Sequence, residues 1–250
     1  MDEVITQDKY LAALGDHYHK TDVFYHGSTW WRGTLVSTPA SASLIVAGHS
    51  DYPITDTIAN RYPATKWWSV NSESLRVNGL PLGITNDCDD SPIHRIYGNI
   101  PMMGEVAEEP RSIVNRVYLN CSLHTHPSRQ HVYNLFHTKP WVTIGKQENT
   151  MEGRKNFLRQ IRNHEFVLCP RGNGVDTHRL WETLYMGSIP IVQRHITHRG
   201  WEDLPIAWID SWEEVTSEWL DFQLERIRSG TWAIEKLKAS YWIDKINRSL

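Results

Sequence analysis

Residues 165–182 read EFVLCPRGNGVDTHRLWE. Four apolar residues, Phe166 to Cys169, run into Pro170, Arg171 and Gly172, and after a short polar turn Asp176 opens a segment with helical spacing. A buried strand that ends in an arginine and two glycines, just before a helix, is well built to hold an anion. Gly172 and Gly174 let the backbone turn tightly around Asn173 and approach a ligand closely. Asp176 and Thr177 are helix-capping types, and the helix start offers unpaired N–H groups and a partial positive charge. Arg171 and Arg179 can add charge-assisted hydrogen bonds. His178 and Glu182 share a helix face, with Arg179 beside it. A carboxylate one turn past an anion site is placed to accept hydrogen bonds from ribose hydroxyls. The spacing fits equally a surface Arg179–Glu182 ion pair with Asp176 as a cap alone. No Gly-Lys-Ser/Thr follows, so the segment is not a P-loop, and it is not the dinucleotide GxGxxG pattern either.

Three other stretches carry candidate chemistry. NCSLHTHPSRQH (120–131) follows a strand-like run, so Ser122 and Arg129, with Thr125 and Ser128, can face the same crevice. Its His124 and His126 lack a nearby acidic or thiol partner and make a poor metal pair. AGHSDY (47–52) ends another strand, which puts His49 and Asp51 at a sheet edge as candidate general bases. Asp51 is the first choice and His49 the second, against the plainer reading of Asp51 as a helix cap. Asp87 and Asp89 in NDCDDS form an acidic pair that would suit a divalent ion if it directly followed a strand, but Thr85 and Asn86 intervene.

Elements must position these residues, and from residue 113 onward the chain alternates strand and helix. IVNRVYLNCS, PWVTIG, EFVLCP, SIPIVQ and IAWID read as strands, separated by amphipathic stretches, with helices over 213–228 and 231–247. That rhythm predicts right-handed βαβ units and a parallel sheet covered on both faces. Before it, residues 3–18 read as a helix and SLIVAGH as a strand, DYPITDTIANRY turns into a helix, and residues 85–112 read as a long loop with room for one short helix. The adjacent pairs Trp30–Trp31 and Trp67–Trp68 are expected to place at least one member of each toward a cleft or solvent if they lie on strands. The fold class is therefore α/β, with a lobe over 1–110, a second over 111–230, and a C-terminal helix in 231–250 that can pack back on the first lobe.

Bulk properties narrow the function. The chain has 250 residues, 40% of them hydrophobic and 22% charged, with a net charge of -3. This is a folded domain without the basic excess of a general nucleic-acid binder. No apolar run reaches membrane-spanning length, and three widely spaced cysteines give no disulfide framework. A soluble, cytoplasmic protein is expected.

CPRGNGVDTHRLWETLYMGSIPIV closely resembles the donor-binding motif of exostosin-like glycosyltransferases. In that motif a Ser/Cys-Pro-Arg-Gly turn precedes Arg-x-x-Glu and then Gly-x-x-Pro-Val/Ile. Here these are Cys169 to Gly172, Arg179 with Glu182, and Gly187 with Pro190 and Ile191. Among such proteins the chain looks most like short virus-encoded members and the ribitol-xyloside-forming branch. The resemblance implies a GT-B fold of two Rossmann-like lobes with parallel sheets, here with a reduced N-terminal lobe. It implies an inverting transfer, without an essential metal or other cofactor, from a UDP-sugar donor, with xylose the best guess. The acceptor would be a hydroxyl of a glycan or glycoprotein, and a viral member would work in the host cytoplasm. Two rivals stay open: a metal-dependent GT-A enzyme using Asp87 and Asp89, and a glycan-binding module without catalysis.

Overall fold

Short apolar runs that stop at Gly, Pro, Asn or Asp become strands, and the amphipathic stretches between them become helices. The computed structural model describes residues 2–13, 23–26, 44–47, 51–61, 66–86 and 92–249. Helix α1 (Gln7–Ala13) precedes β1 (Val23–His26), β2 (Leu44–Ala47), α2 (Asp56–Ala59), β3 (Lys66–Ser69) and β4 (Asn78–Gly79). The four strands form a parallel sheet in sequence order. After α3 (Pro92–Tyr97) and α4 (Ile100–Glu108), the chain builds a second parallel sheet. Its elements are β5 (Asn115–Leu119), α5 (Pro127–Phe136), β6 (Val142–Ile144), α6 (Met151–Arg162), β7 (His164–Leu168), α7 (His178–Tyr185), β8 (Ile189–Gln193) and β9 (Ala207–Ile209). Helices α8 (Ser217–Ser229) and α9 (Ala239–Asn247) close the chain.

The order of the second sheet is β6-β5-β7-β8-β9. The chain winds one way from β5 to β6 and the other way from β7 onward. A topological switch point therefore lies outside the carboxyl ends of β5 and β7, where open parallel sheets leave a crevice for ligands. The segments emerging there are 120–129 and 169–177.

Both faces of this sheet are covered. Val117, Leu119, Phe166 and Leu168 pack with Val132 and Phe136 of α5 and with Leu220 and Ile227 of α8. Tyr118 and Val167, one residue out of phase, point the other way, onto Leu158 and Ile161 of α6 and Leu180 and Trp181 of α7. This second core continues into Leu44, Val46 and Trp68 of the first sheet, so one apolar cluster joins the two sheets. No helix among the described residues is long and apolar enough to cross a membrane.

Two expectations fail. Much of the stretch read as a long loop is helical: Asn99 caps α4 by accepting a hydrogen bond from the Met102 amide at 2.9 Å, and Met102, Met103 and Val106 are buried. Two prolines and a glycine hid that periodicity, yet Pro92 and Pro101 lie at helix starts, where a missing N–H costs nothing. Trp67 and Trp68 are both buried, because β3 is covered on both faces. Trp67 packs with Ile45, Ile54 and Val77, while Trp68 joins the shared core and donates through Nε1 to Ser249 Oγ at 3.1 Å. Trp30 and Trp31 lie outside the described residues.

The seam between the sheets is held by hydrogen bonds that run both ways. Just after β3, the Asn71 side-chain oxygen accepts from the amides of Val175 and Asp176, each at 2.9 Å. In return, Asp176 Oδ2 accepts from the Leu82 amide at 2.7 Å. Asn71 has a φ of 51°, a left-handed backbone that Asn tolerates better than most residues. At the far end, α9 packs on α1, and the Ala239 amide donates to the Glu3 carbonyl at 2.8 Å. Asn71→Ala should therefore strand two buried amides and lower stability by about 2–6 kcal/mol, twice the cost of one unsatisfied buried donor. Urea unfolding measures this, and a loss under 1 kcal/mol (about the net worth of one ordinary bond) would show that the seam does not depend on Asn71.

Candidate functional site

The switch point is occupied by a cleft of about 360 Å³. Its wall on the second sheet is the turn Gly172–Gly174 with Asp176 to Arg179, and its opposite wall includes Asp51, Leu82 and Thr85. Arg129 ties the ends of β5 and β7 together, donating from Nε to the Arg171 carbonyl at 2.9 Å and from Nη1 to the Ser122 carbonyl at 3.2 Å. Gly172 leaves room for this approach, since a Cβ there would sit 2.9 Å from Arg129 Nη2 and push the guanidinium aside. At Gly174 a Cβ would sit 2.7 Å from Asn71 Nδ2 and 3.1 Å from Asp51 Oδ1, so the turn packs directly against the opposite wall.

Two guanidinium groups give the cleft its charge. Arg129 and Arg179 both line it, and neither makes a salt bridge among the described residues. Arg179 lies over the Phe157 ring at 5.3 Å, and its buried Nε has no partner among the described residues. Burial, then repulsion from Arg179, lowers the pKa of Arg129. The arrangement is suited to an anion that neutralises both.

The residues singled out in the sequence fall into three groups. Arg129, Gly172, Asn173, Gly174, Asp176, Thr177, His178, Arg179, Glu182 and Asp51 all line the cleft. Arg171 does not: its Nη2 donates to the Asn173 carbonyl at 3.0 Å and its Nε to Gly172 at 3.4 Å, so it braces the turn from outside. Ser122 contributes a carbonyl to Arg129 and no side-chain contact to the cleft wall. The helix begins at His178 with Thr177 as N-cap, two residues later than Asp176, whose carboxylate is engaged across the seam. Asp51 is no helix cap, since Thr55 occupies that position before α2. Glu182 pairs with Arg154 at 2.8 Å, not with Arg179. His126 caps α5 through its ring, accepting from the Ser128 amide. No group of three or more metal-ligating side chains is found among the described residues. His49, Asp87 and Asp89 lie outside them.

Residues 97–223, just over half of the chain, match the family model of the RXYLT1 C-terminal domain. The chain belongs to that family. It is thus a ribitol xylosyltransferase-like glycosyltransferase domain, and the family suggests a nucleotide-sugar donor. No curated protein matches the chain. The RXYLT1 segment contains Arg129, Arg154, Arg179, Glu182 and the glycine turn, whereas Asp51 and Asn71 precede it.

Within the RXYLT1 segment, sequence reasoning missed Tyr97, Phe157 and Arg154. Arg154 left a signal: it stands four and seven residues before Leu158 and Ile161, on the core-facing stripe of α6, where an unpaired arginine does not belong. Asn71 left none, because its partners are a hundred residues away.

Burial shapes the titration of the wall. Burial lowers the pKa of His178, whose Nδ1 donates to the Gly83 carbonyl at 2.8 Å. The Cys169 thiol is pushed up to about 12 by burial. Asp176 is pushed up to about 7 by burial, although donors from Leu82, Trp181 Nε1 and Thr177 pull the other way. The native state therefore keeps this proton when the unfolded chain, near its ordinary value of 3.8, has lost it. Asp176 stabilises fully below pH 3.8, and that contribution is lost as pH rises to about 7. Urea unfolding at pH 5 and pH 7.5 should show Asp176→Asn removing this downward slope, whatever its effect on the absolute level. Equal slopes in parent and variant would mean that Asp176 is ionised throughout.

Proposed function

We propose that the chain transfers a sugar, xylose by preference, from a UDP-sugar to a hydroxyl of a glycan or glycoprotein acceptor, inverting the anomeric centre without an essential metal. In this reading it has a GT-B arrangement with a reduced acceptor-side lobe (1–110), a donor-side lobe (111–230) and a C-terminal segment (231–250) reaching back to the first. The observation that carries it is the pair Arg129 and Arg179, two guanidiniums lining one cleft without a carboxylate partner among the described residues, beside a glycine turn and the start of α7.

The diphosphate lies between the two guanidiniums, with the Gly172–Gly174 turn and the first amides of α7 against its oxygens. As the anomeric carbon–oxygen bond breaks, negative charge builds on the departing diphosphate. Groups already in place at that position stabilise the transition state more than the ground state. Glu182 accepts from the ribose hydroxyls. The acceptor oxygen attacks from the opposite side, and its proton passes to Asp51, which lines the facing wall.

Arg129→Ala and Arg179→Ala should each weaken UDP binding by roughly 10–100-fold, the equivalent of 1.5–3 kcal/mol for a hydrogen bond to a charged group. Arg171→Ala should stay within about threefold of the parent, below the worth of one such bond. Thermal-shift titrations with UDP and UDP-xylose read this, because a ligand specific for the native state raises stability by an amount that grows with the logarithm of its concentration over Kd. UDP affinity that follows Arg171 and ignores the other two would overturn the assignment. Asp51→Asn should keep UDP-sugar binding and lower transfer by at least about 10²-fold, the lower end for a general base. Transfer at the parental rate would remove Asp51 from the chemistry.

A further inference from the structure

Arg154 is 1% exposed, and its guanidinium lies over two aromatic rings, 5.2 Å from the Tyr97 centroid and 5.3 Å from that of Phe157. Only Nη2 is engaged: it donates to the Tyr97 carbonyl at 3.0 Å and meets Glu182 Oε1 at 2.8 Å. Nε and Nη1 are buried without a partner among the described residues. Glu182 is itself 4% exposed and borders the cleft.

Such a pair is a poor source of stability. Taking both ions out of water offsets most of their attraction, and apolar side chains of similar volume usually serve as well. Two unpartnered guanidinium nitrogens make this pair more costly still. What the arrangement does supply is orientation. The two rings restrict the guanidinium, the Tyr97 carbonyl fixes Nη2, and Nη2 fixes Oε1. The other carboxylate oxygen, to which no described residue donates, is left for a ligand.

We propose that Arg154 is a positioning residue that sets nucleoside selection. By pinning Oε1 it presents the second oxygen of Glu182 to the vicinal hydroxyls of a ribose, so the protein discriminates ribonucleoside from deoxynucleoside diphosphates. The proposal rests on the reading of the cleft as a UDP site.

Calorimetric titration of the full chain with UDP and with 2′,3′-dideoxy-UDP tests it. The parent should bind UDP about tenfold or more tightly than the dideoxy compound, the worth of a hydrogen bond to a charged acceptor. Arg154→Met should bring UDP down to the dideoxy level and leave dideoxy-UDP affinity within about threefold, because the diphosphate contacts remain. Arg154→Lys, which keeps the charge and loses the planar fork, should recover part of the discrimination. A ratio unchanged in Arg154→Met overturns the proposal, as does an equal loss for both nucleotides. If neither variant folds, Arg154 is a stability element and the proposal fails. A parent that binds both nucleotides equally refutes the Arg154 role alone; a parent that binds neither refutes the donor cleft as well.

Discussion

The Asn71 side chain reaches across the seam to accept two consecutive amides, and the carboxylate of the second of those residues, Asp176, reaches back to the Leu82 amide. All of these groups are buried, so water cannot replace a lost partner. Neither sheet can slide past the other without stranding a donor on one side or an acceptor on the other. This exchange fixes where the Gly172–Gly174 turn sits relative to the first sheet, and hence the width of the cleft. It also explains the unfavourable features around it. Asn71 adopts a left-handed backbone to aim its oxygen, and Asp176 accepts burial that raises its pKa to about 7.

The charge on the second sheet follows from the same fixed geometry. Arg129 is held by two carbonyls at the ends of β5 and β7, and Arg179 by the Phe157 ring. Neither contact neutralises a cation. A fold selected for stability alone would place carboxylates beside these groups or turn them toward water. Glu182, on the same helix as Arg179, is instead taken by Arg154. The wall therefore keeps two guanidiniums without a salt-bridge partner among the described residues at the switch point of the sheet, beside the first amides of α7.

Much of this was legible in the sequence, and the failures share a cause. The strand–helix rhythm after residue 113 and the turn-then-helix after β7 are local patterns, read within a window of ten to twenty residues. Gly172, Gly174, Arg179 and Glu182 belong to that window and do line the cleft. Arg171 belongs to it too, yet it points elsewhere: an arginine beginning a tight turn can reach the turn's own carbonyls, and here it does. The cation on the β5 side is Arg129, 42 residues away in sequence, brought in by the parallel pairing of β5 with β7. Spacing along the chain cannot rank two such arginines; strand adjacency does. Trp67 and Trp68 failed for the related reason that burial on both faces of β3 depends on the second sheet, the final helix and Ser249.

In the proposed transfer the two sheets supply unlike groups. The second sheet holds what must stabilise a departing anion, and the first holds the only sequence-predicted base that lies among the described residues, Asp51. An inverting displacement needs this division, because the attacking oxygen and the leaving diphosphate lie on opposite sides of the anomeric carbon. With the base on the opposite wall, the distance between proton acceptor and leaving group is set by the seam. The hydrogen bonds from Val175, Asp176 and Leu82 thus position the chemistry although none of them touches the reacting atoms.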